Sequence, residues 1–171
     1  MNERKANKKM KVIKERFLKI LTLILALTLS LGITACGEVD DTGEINVMVE
    51  VEESRYLEYV VILDNVADKS EGAASILKYL GSRGADSLEY DLVESTYGAY
   101  LNSIANLQPG AGQYIAIYTS VESDFSVPTE YYPTVPELTV DGKLLKPARV
   151  GLSSMKIEDG MTILFRLESF E

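Results

Sequence analysis

From Ile20 to Ala35 the chain runs for sixteen residues without a charge, and Leu21, Leu23, Leu25, Leu27, Leu29 and Leu31 recur through it. Such a run must leave water, yet it is shorter than the ~18–20 apolar residues that cross a bilayer's hydrocarbon core. Its surroundings are basic: residues 1–35 hold eight of the 17 Lys and Arg side chains and only two acids, Glu3 and Glu15. A basic flank, a short apolar core and small residues at its end make the pattern of a secretory leader, which stands apart from the fold. Residues 36–171 are then left with 9 basic and 24 acidic side chains, a net charge of −15. A surface this acidic repels phosphate backbones and anionic headgroups, which argues against nucleic acid as a partner. With 46% hydrophobic and 25% charged residues, the chain has the composition of a globular protein, and its length suits one domain.

The leader ends in Ile33-Thr34-Ala35-Cys36, which resembles the bacterial lipobox: a branched aliphatic and two small residues before a cysteine. The resemblance implies cleavage between Ala35 and Cys36 and a diacylglycerol on the Cys36 sulfur. Two acyl chains anchor stably where one binds only marginally, so the domain is expected at the extracytoplasmic face of the cell membrane. Cys36 is the only cysteine, so no disulfide can form within the chain. The other reading of this segment is an uncleaved membrane anchor beside an incidental cysteine.

Residues 36–44 are short, polar and acidic, and read as a tether. The domain proper is placed at 45–171. Ile45, Val47, Val49 and Val51 alternate with Asn46, Met48 and Glu50 as in a half-buried strand, and Tyr59–Leu63 suits a more buried one. Asp68 and Glu71 are spaced like a helix cap pair, and Ala73, Ile76, Leu77 and Leu80 follow at helical spacing up to Gly81 and Gly84. Strand patterns return at Leu88–Val93, Gly98–Ile104, Tyr114–Tyr118 and Ile163–Leu167. Asp141-Gly142 marks a hairpin turn between Leu138–Val140 and Lys143–Leu145, while Val121–Pro136, with three prolines, reads as a loop. One helix and seven or eight short strands predict an α+β domain with a mixed or antiparallel sheet.

The order of Ser75–Leu80, Tyr97–Ile104, Gln113–Thr119, Val150–Ser153 and Ile157–Met161 resembles the transcobalamin-like C-terminal domain of secreted Gram-positive proteins. That family is related to the smaller domain of intrinsic factor and transcobalamin. The resemblance spans residues 45–169 and implies a β-grasp-like sheet curved around one helix. It also implies a corrinoid (cobalamin or a relative) as ligand, met by Tyr97, Tyr100, Asn102, Tyr114 and Tyr118. Members commonly carry a tryptophan in the strand matching Tyr114–Tyr118, and this chain has none.

The chain has no histidine, which removes every histidine-based triad and metal site. With the one cysteine assigned to lipid, no catalytic residue is nominated and no cofactor is required; the chain is read as a non-enzyme. Asp40 and Asp41, or Glu50, Glu52 and Glu53, could offer oxygens to calcium, but their spacing fits no EF-hand loop and no metal site is assigned. Two functional readings stand: a membrane-anchored, non-catalytic binder of a small ligand, or a cell-surface module that contacts another protein through its exposed edge and Pro-rich loop.

Overall fold

The computed structural model describes residues 43–95 and 98–170. The leader 1–35, the Ala35/Cys36 processing site and Tyr97 lie outside the described residues. Among those described are eight strands: β1 (Glu44–Glu52), β2 (Arg55–Ile62), β3 (Tyr90–Ser95), β4 (Gly98–Ile104), β5 (Gln113–Thr119), β6 (Leu138–Val140), β7 (Lys143–Pro147) and β8 (Thr162–Ser169). One α-helix, α1 (Ala73–Gly81), joins them. Six strands form a curled mixed sheet in the order β2-β1-β8-β5-β7-β6, and β3 and β4 make a separate two-stranded ribbon. Only β1 and β8 run parallel; the other pairs are antiparallel. The domain is α+β.

Each face of the sheet has its own core. On one face Ile45, Val47 and Val49 of β1 and Ile163 and Phe165 of β8 meet Ile76, Leu77 and Leu80 of α1, together with Leu101 and Ile104 of the ribbon. Fully burying one such side chain contributes about 1.5–3 kcal/mol. On the other face Met48, Ala116, Tyr118 and Leu164 pack with Val140 and Leu145 of the β6–β7 hairpin. β1 is therefore apolar on both sides at its centre, where alternation alone predicted one buried face.

The hairpin itself follows from its turn. Asp141 (φ 51°) and Gly142 (φ 76°) are both left-handed, as a two-residue loop with the twist of its strands demands. Two other expectations are revised. Asp68 and Glu71 do not cap α1: Asp68 accepts the Ser70 N–H at 2.8 Å, which lowers its carboxyl pKa, and Glu71 pairs with Lys78. The N-cap is Gly72, at φ 53°, and a Cβ there would sit 2.5 Å from the Met155 carbonyl oxygen. The turn at Leu152–Ser154 occupies the space that a capping side chain would need. The apolar run Tyr59–Leu63 is not a buried strand either. β2 is the edge of the sheet, only its Val61 is buried, and Leu57, Val60 and Ile62 are exposed.

The end of the expected tether belongs to the sheet. The Gly43 carbonyl accepts the Leu63 N–H at 2.8 Å, and the Glu44 N–H donates to Asp159 Oδ1 at 2.9 Å.

Candidate functional site

Side chains four apart on a strand share a face, so Tyr114 and Tyr118 of β5 both look away from α1. Glu168, opposite Tyr114 across the β5–β8 ladder, accepts both hydroxyls: Tyr114 on Oε2 at 2.8 Å and Tyr118 on Oε1 at 2.5 Å. Arg166 lies beside them, with Nε 3.1 Å from Glu50 Oε2 and 3.7 Å from Glu168 Oε1. The Nε–H aims squarely at neither oxygen, so these contacts are ion pairs rather than aligned hydrogen bonds. The guanidinium also stands 6.0 Å from the centre of the Tyr118 ring. Tyr56, across from Glu50 on β2, ends a polar row that crosses four strands.

The electrostatics of that row hold protons in place. Burial, reinforced by the hydrogen bond to Glu168, pushes the Tyr118 phenol well above its usual range. Burial and then the Glu50 charge raise Tyr56 as well. The row therefore binds the far face together with neutral phenols and paired charges. Tyr114 additionally stacks on Phe170, with ring centroids 4.8 Å apart.

The residues expected at the ligand do not all meet. Tyr114 and Tyr118 share the row just described, and Tyr118 is 1% exposed. Tyr100 and Asn102 stand on the ribbon, where Tyr100 is exposed and Asn102 Nδ2 donates to Asp91 Oδ2 at 2.9 Å. Of the candidate calcium ligands, Glu50 pairs with Arg166 and Glu52 with Arg55, Glu53 is exposed in the turn after β1, and Asp40 and Asp41 lie outside the described residues. Among the described residues, no three of His, Cys, Asp and Glu gather as a metal ion requires.

An open concavity lies where β7 leaves the sheet. The loop after β5 is tacked to the chain beyond β7: Ser126 N–H donates to the Pro147 carbonyl at 2.8 Å, and Arg149 N–H to that of Asp124 at 2.9 Å. Asp124, itself buried, accepts the Lys156 N–H at 2.7 Å. These bonds shape an open groove of about 560 Å³ whose apolar wall includes Phe125, Val127, Pro128 and Leu144. Lys146 and Arg149 line it too, with Lys146 Nζ 5.6 Å from the Phe125 ring centre and 2.6 Å from Glu137 Oε1. Phe125, Val127 and Pro128 belong to the Pro-rich loop that the sequence offered as a protein contact, but no groove residue was nominated for a small ligand. A signal existed: Lys143, Lys146 and Arg149 put three of the nine basic side chains of residues 36–171 within seven positions.

No protein-family model matches the chain, and no curated protein matches it. Among solved structures it is similar to a protein of Ruminococcus gnavus with a conjectured metal-binding role, at TM-score 0.47 and 10% identity over 75% of this chain and 99% of that one. It is also similar to haptocorrin in complex with Cbi, at TM-score 0.46 and 14% identity over 81% of this chain and 28% of that one. Neither likeness bears on what this chain binds.

Proposed function

We propose that the chain is an extracytoplasmic lipoprotein, anchored through Cys36, whose domain binds a small soluble ligand without catalysing a reaction. The ligand class is a corrinoid, following the transcobalamin-like pattern of the sequence. The β-grasp reading belongs to the same proposal. It is supported by the first and last of the described strands lying parallel side by side inside the sheet, with α1 packed on one face.

The observation that carries the binding reading is the groove between the 122–128 loop and β7. On a domain whose residues 45–171 carry a net charge of −11, it puts Arg149 and Lys146, the latter paired with Glu137, beside Glu122 and an apolar wall of Phe125, Val127 and Leu144. A few polar groups converging on an apolar concavity is the usual make-up of a small-ligand site. A flat macrocycle would lie on the apolar wall and offer its polar periphery to the cations. With no histidine to replace a lower axial ligand, contact runs through that periphery. An open groove covers one face of such a ligand and leaves the other for a second protein.

Titrating residues 42–171, which form one compact unit, with cyanocobalamin and aquocobalamin by calorimetry tests the reading. Saturable heat is expected, weakened roughly a hundredfold or more in a Lys146→Ala/Arg149→Ala variant, since each hydrogen bond to a charged group contributes about 1.5–3 kcal/mol. Tyr100→Ala probes the ribbon, because the exposed Tyr100 can be cut back without opening the core. No heat from either corrinoid at high micromolar would reject this ligand class. The second reading, a protein-interaction module, is favoured by Tyr131 (86% exposed) and Tyr132 (75% exposed) on the Pro-rich loop.

A further inference from the structure

The two ends of the six-stranded sheet are unlike. One ends in β6, three residues long, while the other ends in β2, eight residues long and, among the described residues, paired with β1 alone. Natural edges are blunted by lysine, proline, bulges or a covering element. β2 has neither lysine nor proline, and Leu57, Val60 and Ile62 along it are exposed.

The direction of its free hydrogen-bonding groups follows from the register. Leu63 N–H donates to the Gly43 carbonyl, and Ile62 stands opposite Glu44. Residues of an antiparallel strand alternate between bonding the neighbour and facing away. Val61, Tyr59 and Leu57 therefore bond β1, whereas Ile62, Val60, Glu58 and Tyr56 turn their N–H and C=O groups outward. Beside this row runs an open groove of about 530 Å³, lined on the strand side by Glu58, Tyr59 and Val60 and on the other by Arg83, Asp86 and Ser87.

We propose that the outer edge of β2 takes up an extended peptide of a partner protein as a seventh strand, laid along the groove beside Arg83–Ser87. Strand addition of this kind draws affinity from main-chain bonds and selectivity from alternate side chains. Those of one parity enter the groove; those of the other lie next to Val60 and Ile62 and take β-branched residues. A lysine or arginine fits beside Glu58, because opposite charges on adjacent strands stabilise the pair. The occupant is a neutral-to-basic peptide rather than a second copy, since two domains that each carry 20 acidic and 9 basic side chains over residues 45–171, a net charge of −11, repel. This site is separate from the Lys146/Arg149 groove and does not rest on the corrinoid reading.

The test uses the full chain in detergent micelles and an acetylated octapeptide, Thr-Val-Lys-Val-Thr-Val-Lys-Val, with a second octapeptide bearing glutamate in place of lysine. Binding is followed by calorimetry, and amide exchange is read residue by residue. The lysine peptide should slow exchange at Tyr56, Glu58, Val60 and Ile62 and leave Tyr59 and Val61 unchanged; the glutamate peptide should bind more weakly. Val60→Pro removes an outward donor without touching the β1 ladder and should weaken binding roughly tenfold, the worth of about one main-chain hydrogen bond. Val60→Lys, which keeps the backbone intact, should weaken it as well, so a folding defect in the proline variant cannot hide the answer. Corrinoid heats should be unaltered in both. Absence of protection at the outward amides, equal binding to Val60→Lys, or protection that arises from self-association without peptide would overturn the proposal.

Discussion

Tyr118 is a phenol enclosed in the core with its hydroxyl on a carboxylate, and that placement has a pH signature. Ionising it would put a charge into a dry site beside Glu168, so its folded pKa lies above the unfolded value of about 10. The stability this confers is complete below about pH 10 and is lost as the pH rises from there toward the folded pKa, because the unfolded chain releases its proton first. Tyr118→Phe should lower the urea midpoint at neutral pH, costing about 1 kcal/mol, and should flatten the fall in stability above about pH 10. Gly72 makes a sharper case. Its left-handed φ and the Met155 carbonyl leave no room for a Cβ, so Gly72→Ala should cost about 2 kcal/mol or more by thermal or urea unfolding. Neither demand could be read from the sequence. The glycine precedes an evident helix, but the turn crowding it comes from residues 152–155, some eighty positions away.

At the level of elements, local chemistry was legible and neighbours were not. The pair Asp141-Gly142 carries its own turn geometry, and the hairpin stands where the dipeptide put it. Gly142→Ala should therefore destabilise the domain by about 1 kcal/mol, while Asp141→Asn, which tolerates the same left-handed φ, should leave the melting temperature nearly unchanged. The helix likewise followed from the spacing of Ile76, Leu77 and Leu80. Tyr59–Leu63 misled because an apolar run announces a strand without saying what covers it. Among the described residues no strand lies beyond β2, and Val60 and Ile62 of that run are exposed.

Over the whole molecule, the α+β class was legible because eight short strand patterns and one helical one are each local. The groove was not, since it is assembled from the 122–128 loop and β7 by backbone bonds between segments about twenty residues apart. The same holds for the start of the domain, where Gly43 and Glu44 look like tether but bond Leu63 and Asp159. A chain beginning at Ile45 should be less stable than one beginning at Thr42 by about 3 kcal/mol in urea, the worth of three hydrogen bonds, since the Glu44 carbonyl also accepts the Gly160 N–H. The proposed placement of the domain outside the cytoplasm depends on Cys36. Expressing the full chain in a Gram-positive host with an alkyne-bearing palmitate, and taking the intact mass of the product, tests it directly. The expected product begins at Cys36, lacks residues 1–35 and carries the label, and Cys36→Ser abolishes labelling. A retained leader on the native protein, or acylation that survives Cys36→Ser, would contradict it.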